Sequence, residues 1–147
     1  MDRRQNRNRA MLTEPIAVTL LVVDTLEDLG VPYFIGGSLA TAVHGVARAT
    51  MNVDIVFDQT QFRRREVNTL AQDPARTAYV ASPEDNILAK LVWFRKGGEV
   101  SDRQWQDIVN VLRIQGDRLD LSYLREWAAR LGVTDLLKRA LGAVDIE

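Results

Sequence analysis

The chain has 147 residues, about 46% apolar and 27% charged, which is typical of one globular domain that buries its own core. It has no cysteine, which excludes disulfides, thiolate zinc sites and cysteine nucleophiles. The net charge of −1, from 19 Lys and Arg against 20 Asp and Glu, gives no sign of nucleic-acid binding over the whole chain. No run approaches the ~20 apolar residues of a membrane helix, and the run at 16–23 lacks a signal-peptide cleavage pattern. We therefore expect a cytoplasmic protein with no membrane contact.

The N-terminal segment differs in composition from the rest. Arg3, Arg4, Arg7 and Arg9 lie among Asn and Gln, so we predict a disordered basic tail over residues 1–12, with RNA contact as the alternative. Residues 13–147 are predicted to form a single domain. Its first helix is predicted from a Thr13 cap to about Leu29, with Pro15 in the first turn.

Residues 13–81 are predicted to form the α/β part of this domain. Apolar and alternating runs predict three short strands: Tyr33–Ile35, Met51–Phe57 and Thr77–Ala81. Between them we predict a helix at Leu39–His44 and a charged helical link at Gln61–Ala71. A sheet of about three strands is small and must be covered by helices to be stable.

Residues 82–147 are predicted to be entirely helical. Each of four helices has a recognisable N-cap: Ser82, Ser101, Asp120 and Thr134. Apolar residues follow each cap at helical spacing. The predicted fold class is α+β, with a small mixed sheet covered by helices and a C-terminal helical bundle.

Gly36-Gly37-Ser38 falls between a predicted strand and a predicted helix. Glycines allow close backbone approach, and a helix N-terminus offers unpaired N–H groups, so this arrangement is a recurrent phosphate site. The structural alternative is a tight turn in which Ser38 is only an N-cap.

Asp54 lies on the following strand, with Asn52 on the same face about 7 Å away. Oxygen side chains in this position can hold Mg²⁺ together with substrate phosphates. The alternative is a solvated edge of the sheet, although a carboxylate inside so apolar a run is expected to have a partner or a function.

Two segments together resemble the nucleotidyltransferase superfamily, in the branch of AbiEii-type toxins and minimal nucleotidyltransferases. The first contains Tyr33 to Ala40, Gly45, Arg48-Ala49-Thr50 and Asn52 to Val56. The second contains Ser82 to Asp85, Lys90, Trp93, Gly97 to Glu99, Ser101, Arg103 to Trp105, Asp107 and the run from Tyr123 to Leu137. The resemblance covers about residues 31–58 and 79–141 and implies a reduced nucleotidyltransferase fold.

The resemblance also implies roles for individual residues. Gly36, Gly37 and Ser38 would hold the triphosphate, and Asp54, with Asn52, would form the catalytic metal site for Mg²⁺. Lys90 would reach the phosphates, and Asp107 would support the site from the neighbouring helix. The structural alternatives to these roles are that Lys90 is a solvated helix residue and that Asp107 lies at the surface, paired with Arg103.

The chain departs from the family pattern in two ways. Asn52 stands where the family has an aspartate, so one metal-binding charge is lost. The family's third carboxylate, on a further strand, has no counterpart in the short segment after Asp58, where a strand pair is predicted to be missing. Asp58 lies about 13 Å along the strand from Asp54, too far to share one metal ion.

Three functions remain open at this point. The first is Mg²⁺-dependent transfer of a nucleoside monophosphate from an NTP to a hydroxyl of protein, RNA or a small molecule. The second is nucleotide binding without turnover, and the third is a role as one member of a toxin–antitoxin type pair. An exposed sheet edge would also allow a homodimer.

Overall fold

The computed structural model describes residues 3–46, 52–56, 64–72 and 75–147, with side chains from Pro15 onward. Within these ranges the chain is α+β, with six α-helices and a four-stranded mixed sheet. Several residues named in the sequence analysis lie outside these ranges: Arg48-Ala49-Thr50, Met51, Phe57, Asp58 and Gln61.

The helices and strands follow each other in an α/β half and a helical half. The first half contains α1 (Arg3–Asp28), β1 (Phe34–Gly36), α2 (Gly37–His44), β2 (Asp54–Val56), β3 (Arg65–Gln72) and β4 (Ala75–Ala81). The second contains α3 (Pro83–Lys96), α4 (Asp102–Gln115), a 3₁₀ turn (Gly116–Arg118), α5 (Leu121–Leu131) and α6 (Thr134–Gly142). None of the helices in the described ranges is long and apolar enough to cross a membrane.

The sheet has the strand order β2-β1-β4-β3. β1 runs antiparallel to β2, with Gly36 opposite Asp54, and parallel to β4, with Ile35 opposite Val80. β3 runs antiparallel to β4. The sheet is therefore mixed, as predicted, but it has four strands where about three were expected.

The additional strand corrects the prediction for the middle segment. The helical link predicted at Gln61–Ala71 is wrong from Arg65 onward, because these residues form β3, and the expected absence of a strand pair is wrong as well. Pairing along nearly the whole length of β4 outweighs the local helix preference of this charged sequence. Asp73-Pro74 between the two strands is a turn signal that could have revealed the hairpin.

The first helix is longer than its predicted span. α1 begins at Arg3, ten residues before the predicted start at Thr13, and so includes most of the segment predicted as a disordered tail. No glycine or proline precedes Pro15 in the chain, and Arg, Gln, Met, Leu and Ala are good helix formers. Pro15 consequently lies inside the helix, where the Thr19 hydroxyl donates to its carbonyl oxygen at 2.6 Å.

Two apolar clusters form the core. The larger one lies among α3 to α6 and includes Leu88, Leu112 and Leu137. The smaller one lies between the sheet, α1 and α2 and includes Tyr33 and Val80. Burial raises the pKa of the Tyr33 hydroxyl to about 12.

Candidate functional site

A cleft of about 890 Å³ lies where the end of β1 and the start of α2 face β2 and α3. Five of the predicted site residues line it: Gly36, Gly37, Ser38, Asp54 and Lys90. Asn52 is exposed beside β2, and Asp107 contacts Lys90 from α4. The fold thus brings the glycine loop, the acidic strand and the lysine together around one opening.

The Asp54 carboxylate lies directly against Gly37. Gly36 and Asp54 are opposite each other in the β1–β2 pair, which places the carboxylate over the first residue of α2. A Cβ atom at Gly37 would lie 1.9 Å from Asp54 Oδ2, and Gly37 has a φ of +57°. Only glycine satisfies both conditions without displacing the carboxylate.

The start of α2 has no side-chain cap from the residue before it. α2 begins at Gly37, so Ser38 lies in its first turn, and the interpretation of Ser38 as a simple N-cap is wrong. Gly36, which precedes the helix, has no side chain with which to cap it. The first N–H groups of a helix lack intrahelical partners and attract anions.

Asn86 holds the glycine loop from α3, a role that the sequence alone did not reveal. Its side chain is only 2% exposed, and its Nδ2 donates to the Gly37 carbonyl oxygen at 3.3 Å. The Thr41 hydroxyl lies 3.1 Å from both that carbonyl and Asn86 Oδ1. Asn86 precedes Lys90 by one helical turn, and this spacing on the cleft face of α3 is the only signal of its role in the sequence.

Lys90 and Asp107 form an ion pair below the cleft. Lys90 Nζ lies 3.0 Å from Asp107 Oδ2, and the two side chains are only 13% and 9% exposed. The alternatives of a solvated Lys90 and a surface Asp107 are therefore wrong. A buried pair of this kind holds the ammonium group in place and leaves Lys90 at the cleft wall.

The acidic residues at the start of α3 serve as structural acceptors. Asp85 Oδ1 accepts from the Tyr123 hydroxyl at 2.6 Å, and Asp85 Oδ2 accepts from the Arg64 backbone N–H at 2.8 Å. Glu84 Oε1 accepts from the Asp120 backbone N–H at 2.8 Å. Asp85 lines the cleft, but these hydrogen bonds join α3 to α5 and to the residue before β3.

Asp120 extends this network at the start of α5. Its Oδ1 accepts from the Tyr123 backbone N–H at 3.0 Å, and its Oδ2 accepts from Arg64 Nη2 at 2.8 Å. The N–H of Tyr123 and then the Arg64 guanidinium lower the pKa of the Asp120 carboxyl. Arg64 also lies over the Tyr123 ring, 3.9 Å from its centroid.

The oxygen ligands at the cleft suit one Mg²⁺ ion better than two. Asp54 offers a carboxylate at the cleft, whereas Asn52, with its amide oxygen, is exposed two residues earlier and does not line the cleft. Among the residues that the structure describes, no group of three or more His, Cys, Asp or Glu could hold a metal ion. Mg²⁺ is commonly bound by one or two carboxylates together with substrate phosphates, so the set fits an ion that arrives with a nucleotide.

Comparison of the chain with models of protein families, with curated proteins and with solved structures gives no match.

Proposed function

We propose that the chain has a reduced nucleotidyltransferase fold and binds the phosphates of a nucleoside triphosphate in this cleft, with one Mg²⁺ ion. The observation that carries the proposal is the Asp54 carboxylate against Gly37, at the start of α2, where Gly36 provides no side-chain cap. A helix N-terminus for phosphate and a carboxylate for the accompanying cation are thereby adjacent.

Each side chain at the cleft has a distinct part in this proposal. The N–H groups at Gly37 and Ser38 would bind phosphate oxygens, and Lys90 would supply a positive charge that Asp107 holds in position. Asn86 would keep the loop backbone in its binding conformation. Asp54 and Asn52 would be the protein ligands of Mg²⁺, which when bound neutralises phosphate charge.

We further propose that transfer of the nucleoside monophosphate to a hydroxyl is slow or lost. Activation of an attacking hydroxyl requires a free base near the metal site. Among the described residues, Asp85 is the other carboxylate that lines the cleft, and it already accepts hydrogen bonds from Tyr123 and Arg64. Nucleotide binding with little turnover, either within a toxin–antitoxin type pair or in a homodimer, is therefore favoured over efficient transfer to protein or RNA.

The binding proposal is tested by adding labelled NTPs and Mg²⁺ to the purified protein and measuring affinity and melting temperature. Asn52→Asp should strengthen Mg²⁺–nucleotide binding about tenfold, because it restores a charge beside Asp54. Asp54→Ala should weaken it by a similar factor. Asn110→Asp and Asp117→Ala make the same chemical changes away from the cleft. These two controls should change neither the nucleotide affinity nor the nucleotide-induced shift in melting temperature.

Two results would overturn these proposals. An unchanged melting temperature at saturating NTP, with and without Mg²⁺, would exclude nucleotide binding, because a ligand that binds only the folded state must stabilise it. Rapid transfer by the unmodified chain that Asp54→Ala abolishes would show that turnover is intact.

A further inference from the structure

Trp93 is an exposed tryptophan at the wall of the cleft. It lies on α3, lines the cleft and is 63% exposed. The other tryptophans are packed against neighbours: Trp105 lies 5.3 Å from the Phe94 ring and Trp127 lies 6.1 Å from the Tyr123 ring, centroid to centroid. Tryptophan is highly buried on average, so a ring left open beside a cleft indicates a contact surface.

Trp93 shares a helix face with the residues at the phosphate end of the cleft. Asn86, Lys90 and Trp93 stand at positions i, i+4 and i+7 of α3, which places them in one stripe. Asn86 contacts the glycine loop directly. Trp93 lies seven residues further on, about 10 Å along the helix axis. The indole is therefore displaced from the phosphate end by a length comparable with a ribose and its linking phosphate.

Trp93 and the glycine loop line the same cleft, together with Asp54 and Lys90. The Phe34 and Val56 side chains lie beside Gly36. Lys96 Nζ lies 5.3 Å from the centre of the Trp93 ring. A cleft that holds both anion-binding groups and an exposed aromatic ring matches a ligand that joins a polyphosphate to a flat ring.

We propose that Trp93 is the stacking platform for the base of the bound nucleotide. This inference rests on the proposed function, since it requires the phosphates to lie at Gly37. Stacking on an aromatic side chain recognises the flat face that every base shares, so Trp93 selects nucleotides over inorganic polyphosphates without selecting one base. The ligand class is thus a nucleoside triphosphate bound through both its ends.

The experiment compares ATP with inorganic tripolyphosphate, both with Mg²⁺, by calorimetric titration of the full chain. The unmodified chain should bind ATP about tenfold more tightly than tripolyphosphate. Trp93→Ala should remove this preference for ATP and leave the affinity for tripolyphosphate unchanged. Trp93→Phe should retain most of the preference for ATP. Trp127→Phe, outside the cleft, should behave like the unmodified chain. Because Trp93 is exposed, the melting temperature of Trp93→Ala should stay close to the original value.

The possible outcomes separate this inference from the proposed function. Equal affinity for ATP and tripolyphosphate in the unmodified chain would overturn the stacking role and leave phosphate binding intact. An ATP preference that persists in Trp93→Ala would place base recognition elsewhere and would also overturn it. Absence of binding by both ligands would overturn the proposed function and the stacking role together.

Discussion

Gly37 is the residue at which backbone conformation and site geometry depend on each other most directly. Its φ of +57° is rarely adopted by residues with a Cβ atom, and the place of that atom is taken by the Asp54 carboxylate. At the other glycines with positive φ, an added Cβ atom would have no neighbour within 4 Å. Gly132 ends α5 with a φ of +70°, and a Cβ atom at this position would have no neighbour within 4 Å, so Gly132 isolates the backbone effect.

Gly37→Ala should destabilise the protein by about 3 kcal/mol, whereas Gly132→Ala should cost about 1 kcal/mol, as measured by urea unfolding. Both substitutions place alanine in the left-handed region, but only the first displaces a side chain. In the double variant Gly37→Ala/Asp54→Ala the loss should fall short of the sum of the single losses by about 1 kcal/mol or more. Equal costs at the two glycines, or strict additivity with Asp54→Ala, would contradict the contact.

At the scale of single elements, the caps show which features the sequence determines locally. Ser82, Ser101 and Asp120 were predicted as N-caps, and each accepts a hydrogen bond from the backbone N–H three residues later. These bonds depend on neighbours in the chain only, so the sequence predicts them well. Thr134 is the exception: α6 begins at Thr134 itself, Val133 precedes it, and the predicted cap is wrong.

The caps of α3 and α6 therefore differ in a measurable way. Ser82→Ala should lower the free energy of unfolding by about 1 kcal/mol or more, because Ser82 is buried and the Asp85 N–H would lose its acceptor. Thr134→Ala should change it by less than about 0.5 kcal/mol, since alanine is the better helix former inside a helix. Ser122→Ala, at an exposed position inside α5, is the control and should resemble Thr134→Ala. If Thr134→Ala lowered the free energy of unfolding as much as Ser82→Ala does, Thr134 would be shown to act as an N-cap.

β3 shows why other elements are not predictable from local sequence. Arg65 to Gln72 contains charged and polar residues that suit a helix, and its strand conformation depends on pairing with β4. The same limit applies to the site. The glycine loop and Asp54 are recognisable as a motif, whereas the hydrogen bond from Asn86 to Gly37 joins residues 49 positions apart. Such contacts follow from the way the two halves pack.

At the scale of the whole molecule, two apolar clusters are joined by polar contacts. Gln115 Nε2 on α4 donates to the His44 carbonyl oxygen at the end of α2, at 2.8 Å. Asn86 reaches Gly37 from the helical half in the same way. Because these buried groups would lose their partners if one half opened alone, the halves should unfold together.

The positions of the aromatic residues allow this cooperativity to be measured. The three tryptophans, Trp93, Trp105 and Trp127, all lie in the helical half, whereas Tyr33 and Tyr79 lie in the sheet half. Tryptophan fluorescence and the ¹⁹F signals of fluorotyrosine at residues 33 and 79 therefore report on different halves. The two probes should give one urea midpoint, as expected for a two-state domain.

A substitution at the junction extends the same test. Gln115→Ala removes the hydrogen bond to His44, and it should lower the free energy of unfolding by about 1 kcal/mol as seen by both probes. Gln106→Ala, exposed on the same helix, should leave both midpoints unchanged. Separate midpoints in the unmodified chain, or a shift in tryptophan fluorescence alone, would mean that the helical half is stable by itself. The cleft would then lie between two independently stable units, and its geometry would depend on how they dock.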